Sequence, residues 1–383
     1  MIDSRIAPAD LSGQTRQLIT IRLVYFMAGI GISVWAIIVP FSKIRFGLDD
    51  ATLGLILMAS GSGGVLAMPF TGPLIARFGS RAVLQVSGII FCLCLPVLNV
   101  APSVPALTVL LFVFGAAFGA IDVAMNAQAV VIENRSGRLL MSGFHSLYSF
   151  GSLSIALCTF LLLKAGFSNE FCSSIFTIVA FGILTQIRHL VPRHDDLPAG
   201  RSFALPNRAT LLLGLCCFAC FLTEGAVTDW STVFLRFSRD VSISSATLGY
   251  AGFSIMMALS RLTGDRIATR FGKPAVMRCG ALIAAAGLYL TIAVPFAAID
   301  IAGFALVGLG TGNIAPLIFG AASRVPGMAA SLSVPAVVSL GYVGFLIGPA
   351  AIGFIAHHSS LSVSLGVDGA MMFLLSFAAR AIV

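Results

Sequence analysis

Arg77-Phe78-Gly79 recurs as Arg270-Phe271-Gly272, 193 positions later, and Ala82-Val83 recurs as Ala275-Val276 at the same offset. Upstream, Ala51-Thr52-Leu53-Gly54 recurs as Ala246-Thr247-Leu248-Gly249, 195 positions later, so a two-residue insertion or deletion separates the blocks. Half of 383 is about 192, which makes the chain read as one unit of about 190 residues, duplicated. Two repeated halves in a strongly apolar chain point to a transport architecture.

Composition sets the class. Apolar residues make up 58% and charged residues 10%, whereas soluble domains run near 25% charged. Mean hydropathy is +1.01. Continuous apolar runs recur from end to end, each near the roughly 20 residues that cross the hydrocarbon of a bilayer. Helices satisfy their own backbone groups in lipid, and the runs are too long and too continuous for the alternating strands of a membrane barrel. The reading is an all-α membrane protein with 12 transmembrane helices in two pseudo-symmetric six-helix bundles. The predicted spans are 17–41, 51–75, 82–102, 105–132, 139–165 and 171–191, then 209–236, 244–263, 274–297, 299–321, 327–356 and 360–382. The sizeable polar connection, 192–208, carries Arg193, Asp195, Asp196 and Arg201 and falls where the repeat places a junction. The expected units are therefore 1–191, a linker at 192–208, and 209–383.

Basic residues orient the chain. With the N-terminus inside, the even-numbered loops and both tails carry 18 of the 23 Lys and Arg. The outer loops carry only Lys43, Arg45, Lys164, Arg236 and Arg239. That asymmetry predicts both termini on the cytoplasmic side of the membrane. It also accounts for the +8 net charge without nucleic acid, because no basic run is dense enough to track phosphates. No cleavable signal peptide is expected, since the first 16 residues are polar and the first apolar run is long. The eight Cys read as small apolar side chains. Cys217-Phe-Ala-Cys220 has no second pair or nearby His at ligand spacing. No metal or cofactor is expected.

Polar residues at membrane depth are the candidates for function. Most carboxylates fall in loops or at span ends, but Asp122 and Glu224 lie well inside theirs, where a charge costs at least about 2.5–3.5 kcal/mol. At 100° per residue, Gly115, Gly119, Asp122, Asn126 and Glu133 fall on one stripe of the fourth span. The two glycines form a small-xxx-small element for close helix approach. Asn126 serves either the solute or a neighbouring helix. Glu133, near the cytoplasmic end, reads as solvated or paired with Arg135 or Arg138. In the seventh span Cys220, Glu224, Thr228 and Ser231 share a face. Asp229 reads either as a gate residue or as a partner of Arg236, and Trp230 as a packing or interfacial residue. His145, Tyr148, Ser149 and Ser152 form a polar face in the fifth span. Asn313 follows Gly308-x-Gly310-x-Gly312 in the tenth, the repeat counterpart of the fourth span, where no carboxylate stands. The expected cavity set is Asn126, His145, Tyr148, Thr228, Asp229 and Asn313.

The chain resembles major facilitator superfamily transporters over essentially its whole length. Their cytoplasmic loop signature runs Gly, three residues, Asp-Arg, one residue, Gly, then basic residues. Gly72-Pro-Leu-Ile-Ala76-Arg77-Phe78-Gly79-Ser80-Arg81 matches it, with Ala76 in the Asp slot. Asp265-Arg266 and Arg270-Phe-Gly272 carry similar pieces in the second half. The resemblance implies a cytoplasmic latch formed by Gly72, Arg77, Gly79, Arg81, Asp265, Arg266 and Arg270, with the first copy weakened by the missing Asp. Asp122-Val-Ala-Met-Asn126-Ala-Gln128, Phe144-His145-Ser-Leu-Tyr148-Ser, Glu224-Gly-Ala-Val-Thr-Asp229-Trp230 and Gly341-Tyr-Val-Gly344-Phe-Leu-Ile-Gly348-Pro349 resemble a bacterial, YbjJ-like inner-membrane branch. The Gly-Pro signature of drug/proton antiporters is absent from the fifth span.

These readings converge on a secondary transporter, not an enzyme. A polar lining with few charges suits a small-molecule substrate such as a sugar or polar metabolite. Asp122 and Glu224 are the expected proton-coupling residues, because burial disfavours the charged form of a carboxylate. Its partners would be that solute, protons and the lipid bilayer, and it would act as a monomer. The alternatives are efflux of amphipathic compounds by proton antiport and a non-transporting membrane sensor.

Overall fold

A computed structural model describes residues 11–137, 140–192, 207–328 and 330–382. The expected linker residues Arg193, Asp195, Asp196 and Arg201 lie outside these, as does Arg138. The described chain is helical: α1 (Leu11–Phe46), α2 (Asp50–Phe78), α3 (Ser80–Val100), α4 (Val104–Ser136), α5 (Met141–Lys164), α6 (Asn169–Leu184), α7 (Arg208–Ser238), α8 (Ile243–Phe271), α9 (Lys273–Ala293), α10 (Ala297–Thr311), α11 (Ile314–Ala322), α12 (Ala330–His358) and α13 (Leu361–Ile382). Twelve helical stretches are long and apolar enough to cross a membrane, with α10 and α11 together making the tenth. The main departure from the predicted spans is α8. It continues eight residues past the predicted end at 263, so Asp265, Arg266 and Arg270 sit on a helix and not in a loop.

The repeated triplet has one structural job in both places. Gly79 ends α2 at φ 85°, ψ 149°, and Gly272 ends α8 at φ 83°, ψ 146°. A side chain is disfavoured at such positive φ. The Gly79 amide caps Ile75 at 2.7 Å, and the Gly272 amide caps Ala268 at 3.0 Å. Arg77 lies over the Phe78 ring and Arg270 over the Phe271 ring. The repeat extends into packing. A Cβ on Gly115 would meet the Ser60 carbonyl at 1.8 Å, and one on Gly308 would meet the Phe253 carbonyl at 2.1 Å. Both partners are shifted by the same 193 positions, so α2 rests on α4 as α8 rests on α10. Glycine permits such approach where apolar burial offers no drive between helices in lipid.

The first six spans meet the last six mainly through α2 with α12 and α5 with α8, and α1 also touches α7 and α8. Their two ends differ. At the end away from the termini, a Cβ on Gly54 would lie 2.5 Å from the Pro349 carbonyl, and one on Gly353 would lie 2.3 Å from the Asp50 carbonyl. His357 Nδ1 stands 3.9 Å from Asp49 Oδ1 across this seam. At the end bearing the termini, Gly72, Gly143 and Gly320 face open space. Among the described residues, the closest glycine contacts between the two sets of spans lie toward the far end, and none is found at the end bearing the termini.

Candidate functional site

At mid-depth α4 and α12 meet through polar side chains. Tyr342 donates its hydroxyl to Asp122 Oδ2 at 2.6 Å. Asn126, one helical turn on, donates Nδ2 to Asp122 Oδ1 at 3.2 Å and to the Asp122 carbonyl at 2.8 Å. Tyr25 of α1 donates to Asn126 Oδ1 at 2.6 Å. Tyr25 is itself stacked on Phe144 and meets the edge of His145. Each oxygen of Asp122 thus has a donor, which offsets the cost of holding a carboxylate at this depth.

A second polar group crosses between α5 and α8. Arg261 Nη1 donates to Ser149 Oγ at 3.1 Å, and Nη2 lies 3.6 Å from Glu224 Oε2. The other Glu224 oxygen has the Cys220 thiol at 3.6 Å. The Arg261 and Glu224 side chains are 13% and 11% exposed, so the pair is held loosely and some open space remains beside it. Tyr148, next to Ser149 on α5, is close enough to feel the charges of Arg261, Asp122 and Glu224. Asp122, Asn126, His145, Tyr148, Arg261 and Tyr342 are all half-buried although they face the bundle interior. The arrangement can bind a polar solute, and each carboxylate is tied into a chain of bonds that reaches the other six spans.

The sequence-derived set divides. Asp122, Glu224, Asn126, His145 and Tyr148 come together. Thr228 lies one turn beyond Glu224, with its hydroxyl given to the Glu224 carbonyl at 2.8 Å. Asp229 is half-buried near Tyr250. Its alternative partner Arg236 binds Asp240 instead, at 2.9 Å. Trp230 is fully buried, a packing residue and not an interfacial one. Asn313 stands apart from the central group: it donates to the Ser260 carbonyl and hydroxyl at 2.8 and 2.9 Å, at the break between α10 and α11. Glu133 is half-buried near the end of α4. It accepts the Leu140 and Met141 amides at 2.5 and 2.9 Å, at the start of α5, where the positive end of the helix dipole favours a carboxylate.

The latch residues are placed as follows. Arg77, Asp265, Arg266 and Arg270 are exposed, and Gly79 and Gly272 cap their helices. Arg81 donates to the Arg188 carbonyl at 3.2 Å, within the first six spans. Among the described residues, no hydrogen bond or ion pair joins Arg77 or Arg81 to Asp265, Arg266 or Arg270.

Sequence reasoning missed Arg261, Tyr342 and Tyr25. Arg261 was counted with the cytoplasmic basic residues because span eight was expected to end at 263. With α8 running to Phe271, Arg261 lies ten residues from the helix end, about 15 Å along the axis. A basic residue within a span is the signal that could have found it. Two further buried carboxylates also lie within the helices. Asp300 in the first turn of α10 pairs with Arg239 at 2.8 Å, and Asp368 lies within α13.

The profile of the Major Facilitator Superfamily matches residues 21–342. An uncharacterized MFS-type transporter of Yersinia pestis is 43% identical over 368 residues, covering 96% of both chains. The membrane protein MosC of Rhizobium meliloti is 30% identical, covering 95% of this chain and 88% of its own. Among solved structures, the nucleoside transporter NupG superposes with TM-score 0.73 at 13% identity, covering 95% of this chain and 98% of its own. The xylose transporter XylE of E. coli, in a partially occluded inward-open conformation, gives 0.73 at 13%, covering 97% and 98%. The chain belongs to the major facilitator superfamily, and is a multi-pass membrane transporter with twelve spans.

Proposed function

We propose that the protein is a secondary active transporter that moves a small polar solute across the bacterial inner membrane by alternating access, coupled to protons. Two bundles, 1–191 and 209–383, would rock about the central site. With both termini cytoplasmic, as the basic residues suggest, the close far-end contacts of Gly54 and Gly353 would seal the outer side, which favours an inward-open conformation. Gly72, Arg77, Gly79, Arg81, Asp265, Arg266 and Arg270, of which Arg77, Asp265, Arg266 and Arg270 are exposed, would then meet only in the outward-open state. The observation that carries this reading is the pair of mid-depth bridges, Tyr342 to Asp122 at 2.6 Å and Ser149 to Arg261 to Glu224 at 3.1 and 3.6 Å. Rocking changes both, so proton binding at either carboxylate biases the equilibrium between the two states. The solved neighbours include a nucleoside transporter and a xylose transporter, which favours a sugar-like or metabolite-sized solute.

The test uses purified protein in proteoliposomes. A thermal-shift screen against sugars, nucleosides, metabolites and amphipathic drugs identifies the solute, and its uptake is followed with and without an imposed pH gradient. Glu224→Gln and Asp122→Asn should stay folded and bind solute but lose gradient-driven accumulation. Undiminished proton-driven uptake in both variants rejects the coupling assignment. Stabilisation by amphipathic drugs alone favours efflux, and failure of every compound to bind favours a sensor.

A further inference from the structure

Asp368 is a further carboxylate inside a span, away from the central site. It is the eighth residue of α13, about 10 Å along the axis from the helix start, and is 3% exposed. Oδ1 lies 2.6 Å from Thr223 Oγ1. Oδ2 is buried and, among the described residues, has no hydrogen-bond partner. Thr223 Oγ1 also lies 3.0 Å from the Ala219 carbonyl, one turn back on α7.

A threonine hydroxyl carries one hydrogen. The Ala219 carbonyl can only accept it. If the hydroxyl satisfies that carbonyl, the short contact to Asp368 has a hydrogen only if the carboxyl supplies one. The ionised alternative leaves a buried carboxylate with at most a share of one hydroxyl, one oxygen bare, and no cation. The charged and titratable groups on the surrounding helices point elsewhere. On α7, Glu224 faces Arg261, Cys220 faces Glu224 and Cys217 packs on Gly341. On α9, Lys273 and Arg278 belong to the opposite end, and Tyr289 packs on Gly369 with its ring. On α12, Tyr342 is bound to Asp122, and His357 and His358 close the helix at the far end. The environment contrasts with Asp122, which has two donors, and with Glu224, which has a guanidinium.

We infer that Asp368 is a proton-binding site of the last six spans, separate from the central cavity and occupied in this conformation, with its O–H donated to Thr223. The inference stands apart from the transport reading. Thr223 and Glu224 are successive residues of α7, so the same helix presents one carboxylate to the cavity and seals the other against α13.

Infrared difference spectroscopy on the full-length protein in lipid tests it. At neutral to mildly basic pH, the wild type should show the carbonyl stretch of a protonated carboxyl that Asp368→Asn removes and Glu224→Gln retains. Asp368→Asn should stay folded, because an amide has the shape of the neutral acid and can donate to Thr223. Thr223→Val leaves the carboxyl in place and should shift that same band by removing its acceptor, which keeps the assignment testable should the Asn variant not fold. Loss of a carboxylate band in Asp368→Asn, with the protonated band unchanged, overturns the inference.

Discussion

Tyr342 and Asp122, 220 positions apart in the chain, share a 2.6 Å hydrogen bond at the middle of the bundle. Each belongs to a different set of six spans, so the bond is part of the joint between them. A carboxylate buried this deep depends on its donors, and Tyr342 supplies the shorter of the two side-chain bonds. We expect Tyr342→Phe to cost about 1–3 kcal/mol, the range for stripping a partner from a buried polar group. It should also lower the solute uptake rate more than the thermal stability of the protein in detergent. Uptake equal to wild type would show that the bond is only packing.

Arg261 bridges Ser149 at 3.1 Å and Glu224 at 3.6 Å. Removing the cation leaves Glu224 with a thiol as its neighbour. We expect Arg261→Met to destabilise the protein by less than the roughly 3–5 kcal/mol lost when a fully buried pair is broken, since both side chains keep some exposure. Adding Glu224→Gln to Arg261→Met should recover part of that loss, because no lone charge is then left. Thermal unfolding of the two single variants and the double variant gives the coupling energy, and additive losses would show that the two side chains do not interact.

The far end closes on glycine. A Cβ on Gly54 would overlap the Pro349 carbonyl at 2.5 Å, and neither backbone is free to move aside. We expect Gly54→Val to hold the far end apart and slow transport at least tenfold, while Gly182→Ala, exposed on α6 with nothing within 4 Å of an added Cβ, should be nearly silent. Spin-label distances between α2 and α12 at the far end read this directly, and unchanged distances in Gly54→Val would refute the seam.

Asp49 precedes α2 and caps it, accepting the Thr52 amide at 2.7 Å. Hydrogen bonds from Thr52, with His357 and Lys43 as lesser contributors, hold its carboxyl below the usual carboxylate range. A lowered folded value contributes stability at pH above the unfolded value, and that contribution is lost as pH falls through the folded value. We expect wild type and Asp49→Ala to differ in melting temperature at neutral pH and to converge in strong acid. Asp49→Asn should keep most of the cap at neutral pH, as asparagine caps as well as aspartate. A wild-type-to-alanine gap that widens on acidification contradicts this.

The fold was legible because its signals are local and repeated. Each predicted span coincides with a helical stretch, but α1 runs past both predicted ends, the tenth span breaks into α10 and α11, and polar residues after 263 hid the continuation of α8. Gly115 and Gly119 announced the close crossing with α2, and Asp122 and Glu224 stood out because charge is rare at that depth. Asn313 gave the same kind of signal and led instead to the break between α10 and α11. A polar residue in a span shows that something must satisfy it and leaves open whether the partner is solute, helix or backbone.

By itself the sequence determined the number of spans, the duplication and which residues carry cost in lipid, since hydropathy and glycine spacing act along the chain. Only the tertiary structure decided who answers those costs. It joined Tyr342 to Asp122 and Arg261 to Glu224 and Ser149, and buried Asp368 against Thr223. It also brought Gly54 and Gly353 into close contact across the far end. These are pairings between residues on different helices, fixed by how the helices cross, and no periodicity within a single helix encodes its neighbour.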